Sequence, residues 1–241
     1  VKDPDTAEKL TAWYAGWCKR PTFHQSYLQC FNRPNVTLVD TDGQGVEAFT
    51  AKGVVACGRE HELDALVLAT GFDQVQGRQL ESLGAPIRGR GDETVVQKLG
   101  DGGVYMGVAI DGFPNMFLAS PTGGSGSANM TSVYAMSARL VAHVLRTAER
   151  GEPGADLDKL VVEVDADEGR RWDALLLPKR PWFASFGACP PTYFTLYRNS
   201  KEDAATQKNH WGMWPFGPAD FEKKLDEYMS EGSLKGFNAS V

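Results

Sequence analysis

VYMGVAIDGFPNMFLASPTGGSGSANMTSVYAMSARLVAHVLRTAER, residues 104–150, changes its hydrophobic period part-way along. Val104–Ile110 and Met116–Ser120 are apolar runs of strand length, separated by the turn Asp111-Gly112-Phe113-Pro114-Asn115. Pro121–Ser127 follows as a glycine-rich loop. From about Asn129 to Arg150 the apolar residues fall at helical spacing, with Val133, Met136, Leu140 and Val144 on one stripe. Strand, glycine-rich loop and helix is the order in which α/β domains present a helix N-terminus to a ligand. The fold class that follows is α/β.

Upstream, Leu63–Asp73 reads LDALVLATGFD. Its ALVLAT run is expected to be a strand buried on both faces, and Gly71 permits a sharp turn at its end. Asn35–Asp40 alternates as a strand, and Gly45–Asp64 suits a small antiparallel meander. Residues 3–15 are expected to be helical, capped by Asp3 or Asp5 with Pro4 in the first turn. Residues 77–103, rich in glycine and charge, are expected to hold little regular structure. Downstream, 156–177 reads as an amphipathic helix, whole or broken, 178–194 as an aromatic loop, and 218–237 as a short helix with a glycine-marked exit.

The 241 residues suffice for one large domain or two small ones. A hydrophobic content of 42% and a charged content of 23% are those of an ordinary globular protein. The net charge of −6 argues against a general nucleic-acid binder. No apolar run reaches the roughly 20 residues of a membrane span, and no secretory signal opens the chain, so a cytoplasmic protein is expected. The opening VKDPDTAEKL lacks a Met and reads as a fragment or a processed chain. Cys18, Cys30, Cys57 and Cys189 form no CxxC pair, which argues against zinc.

Individual motifs are weak alone. GGSGS before a helix suits a phosphate, but it lacks the Lys-Ser/Thr of a P-loop, and no GxGxxG follows a strand. Composition alone favours a flexible connector. Lys19-Arg20-Pro21 pairs two adjacent cations, which a nearby anion would favour; a solvated pair is the commoner explanation. Trp182 reads as a core residue. The four histidines lie far apart, and no Ser/His/Asp arrangement or metal-type cluster appears.

In order and spacing, three segments together are more specific. CKRP with the following FNRPNVTLVD, then ELDALVLATGFD, then YMGVAIDGFPNMFLASPTG resemble the C-terminal part of a flavin-dependent Baeyer–Villiger monooxygenase. The resemblance implies a flavoprotein monooxygenase fold with two dinucleotide-binding domains, of which only the C-terminal part is here. Residues 1–70 would then end the NADP-binding domain, and 71–241 would form the C-terminal part of the FAD-binding domain.

It also implies FAD and NADPH as cofactors, and O2 and a small-molecule ketone as reactants. Arg20 would be the catalytic residue, its fixed charge stabilising negative charge that develops on the flavin. Lys19 would pair with the NADP 2′-phosphate, and Trp182 would hydrogen-bond the nicotinamide cofactor. Thr70, Gly71 and Asp73 of the ATG stretch, with Asn129, would complete the cofactor contacts. Ser125, Gly126, Ser127 and Met130 would border the ketone, the small residues among them leaving room for a large one. The closing stretch, from CPPTYF to LKGF, resembles a fungal-type subgroup acting on bulky ketones, which suggests secondary metabolism.

Two departures stand out. The FAD-binding GxGxxG and the family's FxGxxxHxxxWP fingerprint do not occur in the sequence, and Leu99 stands about where the family usually carries a tryptophan. An N-terminal half supplied by missing sequence is therefore an expected partner. Two alternatives stay open: a non-catalytic piece or subunit, and a related flavin monooxygenase that oxidises nitrogen or sulfur.

Overall fold

The computed structural model describes residues 1–16, 18–19, 22–71, 84–101, 103–120, 122–127, 129–151, 153–154, 156–178, 189 and 212–241. The chain divides into two compact units, Val1–Asp73 and Gln74–Val241.

In the first unit, helix α1 spans Pro4–Lys9, with Asp3 as N-cap accepting from the Thr6 amide at 2.9 Å. It is shorter than the expected 3–15. None of its residues is buried, Trp13 beyond it is exposed, and a helix without a packed face gains little past its capped turn. The expected meander forms: β1 (Ala48–Phe49), β2 (Gly53–Ala56) and β3 (Arg59–Glu62) pair antiparallel in that order. The β2–β3 turn, Cys57-Gly58, has φ of 53° and 68°, the paired positive values of a hairpin turn that follows the strand twist.

Two expected strands do not form. Asn35–Asp40 and the ALVLAT run at 65–70 pair in no sheet among the described residues, and Val67 and Leu68 are 87% and 70% exposed. A strand buried on both faces needs a neighbour on each side, and no described strand lies beside this one. The apolar reading of the run stands; its burial does not.

The second unit holds the larger core. Helix α2 (Val95–Asp101) lies where no regular structure was expected. Its start is a capping box: Gln97 accepts from the Thr94 amide at 2.8 Å while Thr94 Oγ1 accepts from the Gln97 amide at 3.2 Å. Val95 packs there with Val104, Ile110 and Phe113, and Leu99 is half-buried against them. Residues 104–110, expected as a strand, are all buried but do not form one strand, and Met116–Ser120, expected as a buried strand, is mostly half-buried and outside the named strands. The chain doubles back at Met106-Gly107, with bridges Tyr105–Ala109 and Ala109–Phe117.

Helix α3 (Met130–Gly151) matches the expected span, and Val133, Met136, Leu140 and Val144 are its buried stripe. The helix expected over 156–177, whole or broken, is a strand, β4 (Val161–Val164), followed by a helix, α4 (Ala166–Leu176). The VVEV alternation buries Val162 and Val164 and turns Val161 and Glu163 outward, a period of two that cannot continue a helix face. Helix α5 (Pro218–Ser230) packs on α3, bridged by Arg139 to Glu222 at 3.0 Å and to Asp226. Strand β5 (Phe237–Ser240) pairs antiparallel with β4.

Asp165 caps α4, accepting from the Asp167 and Glu168 amides at 2.9 and 3.0 Å. The bond from the Glu168 amide, then that from the Asn238 side chain, holds its carboxyl below the ordinary value. A carboxyl depressed by folding stabilises above its unfolded pKa and stops doing so as pH falls through the folded one. Asp165→Ala is thus expected to lower the thermal midpoint at neutral pH, and Asp165→Asn, which can still cap, to lower it less. The gap to alanine should close in acid, as thermal melts across pH would show.

Candidate functional site

The glycine-rich loop between residue 120 and α3 is not a loose connector. Gly123, Gly124 and Ser125 are buried. The Gly123 amide donates to the Gly212 carbonyl at 2.6 Å, and the Trp214 amide donates to the Gly124 carbonyl at 2.6 Å. The Trp172 indole N–H donates to the Gly123 carbonyl at 2.7 Å. The loop is therefore tied to the segment ahead of α5 and to the middle of α4.

The glycines have packing reasons. A Cβ on Gly123 would lie 1.7 Å from the Val104 carbonyl oxygen, and one on Gly124 would lie 2.8 Å from the Ser120 oxygen. Gly126 faces the Met213 sulfur, which a Cβ would approach to 3.1 Å. Close approach of backbone to backbone demands glycine whatever the substrate, and composition could not reveal it.

Beyond the glycines the loop turns into α3. Ser125 is fully buried, and its hydroxyl donates to the Gly126 carbonyl at 3.4 Å. Ser127 Oγ accepts from the Asn129 amide at 3.1 Å. The exposed Asn129 accepts from the Thr131 hydroxyl, and its carbonyl accepts from the Ser132 hydroxyl at 2.7 Å. Met130, half-buried, is the first residue of the helix. Gly126, Ser127, Asn129 and Met130 thus stand partly or fully exposed where the loop enters a 22-residue helix, while the expected pocket residue Ser125 is buried.

The other candidates lie in the first unit or outside the described residues. Lys19 is exposed, and its Nζ stands 4.8 Å from the Tyr14 ring centroid and 5.6 Å from that of Trp13. No carboxylate among the described residues pairs with it, and an ammonium resting on ring faces keeps its charge for an anion. Thr70 and Gly71 are exposed; Gly71 has φ +83° and nothing within 4 Å of where a Cβ would lie. Arg20, Asp73 and Trp182 lie outside the described residues.

A cofactor's periphery fits this inventory: an available ammonium suits a phosphate, and a short-side-chain loop at a helix mouth suits a flat ring. The glycine fingerprint that cradles a pyrophosphate is not in the sequence. Residues that sequence reasoning missed are Trp172 and Trp214, which hold the loop. The only signal was two indoles flanking an aromatic-rich segment.

No family model matches the chain. Individual proteins do. The polycyclic ketone monooxygenase of Thermothelomyces thermophilus is 39% identical over 250 residues, covering 100% of this chain and 38% of that protein. Its solved structure superposes with a TM-score of 0.83 at 38% identity, again over 100% and 38% of the two chains. A Baeyer–Villiger monooxygenase of Stachybotrys chlorohalonatus, ATR8, is 35% identical over 245 residues, covering 99% of this chain and 37% of that protein. The chain is a relative of the flavin-dependent Baeyer–Villiger monooxygenases. A steroid monooxygenase solved with NADP superposes with a TM-score of 0.71 at 27% identity, over 99% of this chain and 42% of that one. The fold is that of part of the α/β flavoprotein monooxygenases with two dinucleotide-binding domains, matching about two-fifths of those chains. The chain spans about two-fifths of the length of the Baeyer–Villiger relatives it matches.

Proposed function

We propose that this chain is the C-terminal part of an FAD- and NADPH-dependent Baeyer–Villiger monooxygenase. The reaction joins ketone, O2, NADPH and a proton to give an ester or lactone, NADP+ and water. The observation that carries the reading is similarity along the whole chain to ketone and Baeyer–Villiger monooxygenases. Bound FAD supplies the redox and oxygen chemistry, and the protein supplies orientation, charge and exclusion of water.

In this reading Arg20 places a permanent cation beside the reacting ring, and Lys19, held on Tyr14, meets the NADPH 2′-phosphate. Trp182 contacts the nicotinamide. Thr70, Gly71 and Asp73 lie at the passage between residues 1–70 of the NADP-binding domain and 71–241 of the FAD-binding domain. Ser125–Met130 border the ketone. Bulky ketones are the proposed substrates, as the name of the Thermothelomyces relative suggests. An N-terminal half is the proposed partner, since the pyrophosphate fingerprint must come from elsewhere.

The test is product analysis with the full-length protein, NADPH, O2 and an equimolar mixture of a polycyclic ketone and a thioether. Lactone or ester formation, lost in Arg20→Ala by about 100-fold or more, is the expected result. Sulfoxide alone would replace the reading with a heteroatom oxygenase.

A further inference from the structure

Trp172 lies in the second turn of α4, and no motif marks it in the sequence. We propose that Trp172 is a positioning residue, whose indole N–H fixes the Gly123 carbonyl and thereby sets the Ser125–Met130 loop that receives the ketone. For its effect on catalysis this rests on the function proposed above. The clamp itself rests on geometry alone.

Three observations converge on it. Trp172 is only 7% exposed, and its indole N–H, which would be costly to bury unpaired, lies 2.7 Å from the Gly123 oxygen. The indole stacks on Trp214, with centroids 5.6 Å apart and planes 14° apart. Trp214 in turn donates its amide to Gly124 and its indole N–H to Asp220 Oδ1, each at 2.6 Å. The two peptides just ahead of Ser125 are therefore both held, Gly123 by Trp172 and Gly212, Gly124 by Trp214. Gly123 has no side chain to anchor it and stands at φ +73°, so these hydrogen bonds are its restraint.

A tryptophan that merely fills the core would act differently. Its loss would loosen the whole unit, whereas loss of a clamp loosens the loop. Trp172→Phe keeps a buried ring and removes the N–H. By hydrogen exchange on the full-length protein, backbone amides of Gly123–Ser125 are expected to exchange about 10-fold faster in the variant, with Val133–Val144 of α3 unchanged. Unchanged loop exchange, or equal acceleration in α3, would overturn the proposal. Should Trp172→Phe fail to fold, Asp220→Ala serves instead: the exposed carboxylate is lost, Trp214 is freed, and a smaller acceleration confined to the loop is expected. No acceleration there would overturn it equally.

In the full-length protein, Trp172→Phe is expected to raise KM for a polycyclic ketone about 10-fold, with kcat within about 2-fold and KM for NADPH unchanged. A fall in kcat at constant KM would overturn the positioning role. A wild type that oxygenates no ketone would sink the proposed function and leave the exchange result to decide the clamp. An active wild type whose KM is unmoved by Trp172→Phe would sink the positioning role alone.

Discussion

Gly123→Ala is expected to destabilise the second unit by about 2–5 kcal/mol, a large fraction of the stability of an ordinary domain. Two terms contribute. At φ +73° an alanine adopts a left-handed conformation that costs roughly 1–2 kcal/mol. Its Cβ would also sit 1.7 Å from the Val104 carbonyl oxygen, inside any van der Waals contact. Neither partner can swing aside as a flexible side chain would, because both are backbone. Relief requires moving the 104 segment or the loop. Moving the loop strains the bonds to Trp172 and Gly212, which adds about 1–3 kcal/mol. Gly112→Ala separates the terms: φ is +80° there with nothing within 4 Å, so only about 1–2 kcal/mol is expected. Urea midpoints of the two variants measure the difference. Equal losses would mean that the close approach is not what requires glycine at 123.

The parts of the fold legible in the sequence were those specified by neighbours along the chain. The α3 stripe repeats every three or four residues, and the β2–β3 turn is set by its own dihedrals. The α2 start was equally local: Thr94 and Gln97 spell a capping box, overlooked because glycines surround it. A helix over 156–177, even a broken one, misses residues 161–164, where the β-branched alternation carries a period of two ahead of the helical period of α4. ALVLAT was read correctly as apolar, but burial depends on neighbouring strands, and none of the described ones pairs with it.

Legibility of the candidate site divides in the same way. Ser125–Met130 are consecutive enough to be read as one loop. The residues that hold them are not, since the Trp172 bond to Gly123 spans 49 positions. A glycine-rich string looks flexible in isolation because backbone partners leave no trace in composition. Its glycines are instead the mark of a loop pressed against Val104, Ser120 and Met213. Lys19 belongs to the first unit, and only family resemblance connected it with the loop.

Raising the pH from about 10 to 12 is expected to remove up to about 2–3 kcal/mol of stability from the second unit through Tyr105. Tyr105 is 6% exposed, and its hydroxyl donates to the Lys235 carbonyl at 3.2 Å; Tyr228 donates to the same oxygen at 2.9 Å. Burial, with smaller contributions from the Glu168 and Asp165 charges, pushes the Tyr105 phenol from its ordinary value of 10.0 up to about 12. Burial pushes Tyr228 up as well, with Tyr105 and Glu231 adding to it. A group whose folded pKa is raised contributes stability that is complete below its unfolded value and is lost as pH rises through the folded one. The loss should therefore begin near pH 10, where the unfolded chain starts to release the proton, and continue to about 12. Tyr105→Phe would forfeit one hydrogen bond, about 1 kcal/mol, at neutral pH. It should show a flatter alkaline limb, so that the two stability curves converge as pH rises. Gly236 sharpens the case: a Cβ there would lie 2.2 Å from the Tyr105 hydroxyl oxygen, so the phenol has little room to turn towards water when it ionises. Urea midpoints of wild type and Tyr105→Phe between pH 8 and 12 measure the slopes, and parallel curves would mean that Tyr105 does not carry the alkaline transition.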